Sequence, residues 1–208
     1  MAILMFDIDG TLVDTTEQMT VSIHRSMGGL EHLGLPSEDL VRSSYGLAGN
    51  AFWENIFPEA NLEEIRQIRR TRHAHLEEAM EGKDVLFDGM RETLERLRDE
   101  GHILSTASNC GVHYLNLILD SQGIREFFTS PKCLESVSGE KKADILAAHK
   151  AEFGEAAYVM IGDRMSDVEA ARTHGMTSVI CRYGFGTRPE WDAADVTIDS
   201  PSGLLGLY

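Results

Sequence analysis

Ile3-Leu4-Met5-Phe6 runs straight into Asp7-Ile8-Asp9-Gly10-Thr11-Leu12-Val13-Asp14, and that junction decides how the chain folds. Four apolar residues without an intervening charge read as a buried strand. Aspartate is a poor strand former, so two of them spaced by one residue at the end of such a run require an explanation. In extended backbone, residues i and i+2 point the same way, which starts Asp7 and Asp9 on one side of the chain. Gly10 permits a sharp turn that brings backbone close to whatever the carboxylates hold. Two like charges that close stay ionised only beside a cation; otherwise one keeps a proton. Taken alone, the segment is also explained by a solvated acidic turn after an edge strand.

Composition narrows the field. The 208 residues suffice for one domain, or for a core with a smaller insertion. Apolar content of 42% and charged content of 25% are ordinary for a globular chain. A formal net charge of -15 argues against a nucleic-acid-binding surface. It also means that a site for an anionic substrate must supply local positive charge or a metal. Cys110, Cys133 and Cys181 are widely spaced and form no C-x-x-C pair, which fits a reducing compartment and no structural zinc. The opening apolar stretch is too short for a signal peptide and no run is long enough to cross a bilayer, so the expectation is a soluble, cytoplasmic protein.

Beyond the first strand, Thr15-Thr16-Glu17 reads as a helix start, with Met19, Ile23, Met27 and Leu30 following at helical spacing. Leu62, Ile65, Ile68, Leu76 and Met80 make a long amphipathic stripe. No strand signal interrupts residues 15–83. From Asp84 helix and strand alternate: a helix at Met90–Arg98, strand His102–Ala107, helix Tyr114–Leu119, a short strand Phe127–Thr129, helix Ala143–Phe153, strand Tyr158–Ile161, a helix carrying Val168–His174, and strands Ser178–Cys181 and Val196–Ile198. Such alternation predicts an α/β fold, a doubly wound parallel sheet covered on both faces. The expected division is an α/β core of residues 1–14 and 84–208 with an inserted all-helical cap, 15–83.

Three further polar segments sit at comparable places: Ser108-Asn109 after the second strand, Gly139 to Asp144 at the mouth of a helix, and Gly162-Asp163-Arg164-Met165-Ser166-Asp167 after Ile161. Ligands of open parallel sheets bind outside the carboxyl ends of the strands, so these segments should converge with Asp7 and Asp9.

In these residues the chain resembles the haloacid dehalogenase superfamily, and within it the phosphatases similar to phosphoglycolate phosphatase. Asp7-Ile8-Asp9-Gly10-Thr11 matches the opening D-x-D-G-T motif, Ser108 the Ser/Thr motif, Lys142 (with Lys141 as the lesser choice) the Lys motif, and Gly162 to Asp167 the G-D-x-x-x-D motif. The resemblance implies a small-molecule phosphate ester as substrate and Mg²⁺ as cofactor. Asp7 would be the nucleophile and Asp9 the general acid and base. Lys142 and Ser108 would complete the catalytic set, and Ser108, Asn109, Lys142, Gly10 and Thr11 would surround the phosphoryl group. The metal would lie among Asp7, Asp9 (through its carbonyl), Asp163 and Asp167.

The resemblance makes the helical block a closing cap with hinges at 14–16 and 82–84 and makes Tyr183-Gly184-Phe185-Gly186 a loop near the site rim. Arg42, Tyr45, Gly46 and Asn50 are the cap residues placed to face substrate. Arg164 reads either as a screen for the acidic cluster or as a simple surface residue. Three other functions share the scaffold. A dehalogenase would not need Asp9, a phosphomutase of the β-phosphoglucomutase type would keep every catalytic residue, and a non-catalytic binding protein should have lost some. Partners such as nucleic acid or membrane are not expected; the chain would be a monomer or homodimer.

Overall fold

The strand β1 (Ile3–Phe6) is buried along its whole length, and its residues alternate between two apolar cores. Leu4 and Phe6 face one core with Leu94, Leu97, Leu115 and Ile118; Ile3 and Met5 face the other with Ile145, Leu146, Ala170 and Ala171. This period of two, with apolar residues on both faces, is what a central parallel strand requires. The computed structural model describes residues 1–207. In it, β1 joins β2 (Ile103–Ser108), β3 (Lys132–Cys133), β4 (Tyr158–Gly162), β5 (Thr177–Cys181) and β6 (Val196–Ile198) in one sheet of order β3-β2-β1-β4-β5-β6. All five pairings are parallel. The strand order reverses between β1 and β4, which marks the crevice where ligands of such sheets bind.

Four helices follow β1 with no strand between them: α1 (Thr16–Arg25), α2 (Glu38–Ser44), α3 (Asn50–Ile56) and α4 (Leu62–Met80). The start of α4 is fixed by Asn61, whose side chain accepts from the Glu63 and Glu64 N–H groups while the Glu64 carboxylate returns to the Asn61 N–H. Its stripe of Ile65, Ile68, Leu76 and Met80 is buried, packed against α1. Leu62, expected on that stripe, is exposed instead, because it lies in the first turn beyond the reach of α1. The chain leaves and re-enters the sheet region by two adjacent segments that bond to each other. Asp14 N–H donates to the Val85 carbonyl at 2.9 Å and Phe87 N–H to that of Leu12 at 3.1 Å.

The helices α5 (Met90–Asp99) and α6 (Val112–Ser121) supply apolar residues to one sheet face, and α7 (Lys142–Phe153) and α8 (Met165–Thr173) to the other. The sequence places a strand at Phe127–Thr129. The chain there makes a 3₁₀ turn (Arg125–Phe127) and one bridge, Phe128 to Leu104. The paired strand β3 comes later, after Ser130 at φ 52° and Pro131, which break the extended run. The short α9 (Arg188–Ala193) was not expected from the pattern.

Candidate active site

The ends of β1, β2 and β4 place Asp7, Ser108 and Asp163 side by side in the sheet, and the first turns of α7 and α8 add Lys142 and Asp167. All five are buried. The Lys142 ammonium lies 2.7 Å from Asp7 Oδ2 and also pairs with Asp167 Oδ1. Lys141, its neighbour, is exposed and takes no part. Burial alone would pull the Lys142 ammonium down, but the Asp167 and Asp7 carboxylates overcome that and hold its pKa above the ordinary value. Lys142 therefore stays charged.

Asp167 also accepts from the N–H groups of Asp163 and Arg164 at 3.1 and 2.9 Å, so it caps its own helix while pairing with the lysine. Asp163 Oδ2 accepts from the Phe185 N–H at 2.7 Å, whereas its Oδ1 has no hydrogen-bond partner. Burial, with Asp167 and Asp7 close by, pushes the Asp163 carboxyl well above the usual carboxylate range. Oxygens of Asp7, Asp163 and Asp167 come within 4.8 Å of one another. A buried, repelling set of carboxylates with an orphaned oxygen is the donor set a hard dication takes.

The Asp9 side chain turns away from this cluster. Its Oδ1 accepts from Thr15 Oγ1 at 2.7 Å and from the Tyr114 hydroxyl, and Thr15 Oγ1 in turn lies 2.8 Å from the Tyr45 hydroxyl. Burial pushes the Asp9 carboxyl up to about 7, against the lowering effect of the Tyr114 and Thr15 bonds and with some help from Asp7. Neither Tyr114 nor Thr15 was singled out from sequence as part of a site; a tyrosine on an apolar helix stripe carries no mark that separates it from core.

Close approach of backbone makes this packing possible. Gly10, at φ +76°, leaves no room for a Cβ, which would sit 2.2 Å from Asp163 Oδ2. A Cβ on Gly184 would lie 2.1 Å from the Gly10 carbonyl oxygen. The segment 183–186 thus lies directly on the acidic cluster, and the Tyr183 hydroxyl donates to the Thr11 carbonyl.

Above the cluster is a cavity of about 400 Å³, walled by Asp7, Asp9, Ser108 and Asn109 from the sheet side and by Tyr45, Gly46, Phe52 and Trp53 from the helical block. Arg42 and Asn50 do not line it. Gly10 and Thr11, expected around the phosphoryl group, do not line it either. Asn109 Nδ2 donates to the Gly46 carbonyl at 2.8 Å. Arg164, half-buried, donates to the carbonyls of Arg42 and Phe185, so it ties the block to the loop on the sheet domain. His73 of α4 stacks on His113 of α6 with centroids 4.4 Å apart.

The family model described as haloacid dehalogenase-like hydrolase matches residues 4–181. The chain belongs to that family. Among its relatives, a 5'-nucleotidase of Pseudomonas aeruginosa is 30% identical over 207 residues, covering 93% of this chain and 88% of its own length. A phosphoglycolate phosphatase of Vibrio parahaemolyticus is 27% identical, covering 98% and 94%. The crystal structure of a predicted phosphoglycolate phosphatase from Haemophilus somnus superposes with a TM-score of 0.88 at 23% identity, covering 98% of this chain and 96% of that one. That likeness bears on the fold. The haloacid dehalogenase fold accounts for the α/β sheet and its switch point at β1 and β4, where the acidic cluster lies.

Proposed function

We propose that the protein is a phosphatase that hydrolyses a small phosphomonoester through a phosphoryl group carried on Asp7. The observation that carries this reading is the buried Lys142 bridging Asp7 and Asp167, with Asp7 on the wall of the cavity. Asp7 attacks phosphorus and the ester oxygen leaves, which divides one difficult hydrolysis into two steps. Asp9, with a carboxyl pushed up to about 7, is suited to hand its proton to the departing alkoxide and then to take one from water. Tyr114 and Thr15 fix where that proton sits. Lys142 holds Asp7 in place and offsets its charge, and Ser108 lines the cavity where the phosphoryl oxygens would lie.

Magnesium fits the donor set; the Asp7 and Asp163 carboxylates and the Asp9 carbonyl would hold it, with Asp167 beside them. When bound, it would neutralise charge on the transferring group. The block 15–83 is the cap of this enzyme: it closes the cavity from above, excludes bulk water and selects substrate, with phosphoglycolate the first ester to try. The test is a phosphate-release screen over a metabolite panel, with and without Mg²⁺. Release that needs Mg²⁺ and disappears in Asp7→Asn protein is the expected result. Full release in excess chelator, or none from any ester, overturns the reading.

A further inference from the structure

One charge in the cavity has no part in the chemistry above. Arg72, on α4, is 8% exposed and lines the cavity together with Asp7 and Asp9. Among the described residues no carboxylate lies within ion-pair distance of it, and Asp9 acts on it only at longer range. Its Nη1 lies 3.3 Å from the Met19 sulfur, a weak acceptor, and its Nε has no partner. Its guanidinium carbon sits 5.7 Å from the centre of the Trp53 ring. Burying a cation without a directly paired counter-ion is costly, and a guanidinium left with most of its five donors unused is the costly case. Arg69, one turn away and exposed, lines the same cavity; it too lacks a carboxylate partner and reaches only Asn50 Oδ1 at 3.4 Å. In a chain of formal charge -15, two arginines unpaired in one cavity are an arrangement with a purpose other than solubility.

We propose that Arg72, with Arg69 at the rim, forms a second anion subsite that takes a carboxylate or a further phosphate on the substrate, apart from the phosphoryl group placed at Asp7. The inference rests on the phosphatase reading for the identity of the first group and on Arg72 itself for the second. Phe52, Trp53 and Tyr45 wall the space and suit the uncharged body of such a molecule. A planar guanidinium with free parallel donors binds carboxylate or phosphate through two hydrogen bonds.

Two matched pairs of esters separate the sources of the anion. 3-Phosphoglycerate against glycerol 3-phosphate differs by a carboxylate, and propane-1,3-diol bisphosphate against 3-hydroxypropyl phosphate differs by a phosphate. In one pair at least, the native protein should favour the member with the second anionic group by about tenfold or more in kcat/KM, and the pair that shows the preference names the group. Arg72→Met should cost about 10- to 100-fold on that doubly anionic member, the range of a charge-assisted hydrogen bond, and leave p-nitrophenyl phosphate and the members lacking the second anion within about threefold. Arg72→Lys should recover part of the loss. A structural arginine would lower Tm when replaced; here Arg72→Met should raise it, since an uncompensated buried charge is removed. No preference in either pair, or an equal loss on esters with and without the second anion, overturns the subsite. If no ester is hydrolysed, the phosphatase reading falls on its own. Calorimetric titration with the same four esters then reads the subsite: tighter binding of a member with the second anion, lost in Arg72→Met, sustains it, and equal affinities overturn it.

Discussion

Asp9 is gripped by two hydroxyls from different parts of the chain, Thr15 at the entry to the helical block and Tyr114 on α6. Replacing Asp9 by Asn should slow turnover by about 10²–10⁴-fold, the range for loss of a general acid and base. Tyr114→Phe leaves the carboxyl but frees its orientation, and should lower kcat by about tenfold with KM little changed, measured under saturating ester. Asp7→Asn should abolish turnover while the chain still folds, because the amide is nearly isosteric but cannot attack phosphorus. For the metal, Tm should rise as Mg²⁺ is added, since only the folded chain assembles the cluster. Asp163→Ala should remove most of that rise; a full rise in this variant would eliminate Asp163 as a ligand. The residues that converge at β1, β2 and β4 are marked in the sequence by carboxylates and a serine at strand ends, where packing does not call for them. Arg72 is not singled out from sequence, although it stands in register with the buried Ile65, Ile68 and Leu76 on α4. Tyr114 bears no mark, since its ring packs as core and only its hydroxyl matters.

Among the elements, the loop after β5 is held to the acidic cluster by close backbone contact. Gly184→Ala would place a methyl carbon 2.6 Å from Asp163 Cβ and against the Gly10 carbonyl, so the loop must lift. The expected cost is about 1–3 kcal/mol of stability by chemical denaturation, with loss of the Mg²⁺ effect on Tm as Phe185 leaves Asp163. The contact between α4 and α6 carries a pH dependence. His73, an exposed residue stacked on His113, is pushed down to about 4 by partial desolvation first, then by the neighbouring Arg72 and His113. The unfolded chain binds a proton there below pH 6.5 and the folded chain only near 4, so this contribution to stability is complete above 6.5 and is lost as pH falls through that window. Tm plotted against pH for His73→Gln, compared with the native chain, should show a shallower decline between 6.5 and 4. The periodic elements are legible in the sequence because β1, β4 and α4 each bury a regular apolar pattern. β3 and α9 are not: β3 pairs only Lys132 and Cys133 after Pro131, and α9 is six residues with none buried.

For the whole molecule, the contacts of the block 15–83 with the rest include the paired links at 13–14 and 85–87, the Asn109–Gly46 bond, Arg164, and the stacked pairs His73–His113 and Tyr45–Phe185. If it moves as a cap, vanadate with Mg²⁺ and a substrate alcohol should slow hydrogen exchange at both links. Unchanged exchange there would mean a rigid block. Arg164→Gln removes the bond to Arg42 and should raise KM more than it lowers kcat. The ring beneath Arg72 has a consequence of its own. The chain has two tryptophans, Trp53 on the cavity wall and Trp191, which stacks with Arg182 away from it. Trp191→Phe therefore leaves one indole, 6% exposed, as a built-in optical gauge. Its emission should shift whenever the guanidinium above it is drawn onto a ligand or the wall it belongs to swings toward water, so occupancy and opening can be timed by stopped-flow without any label.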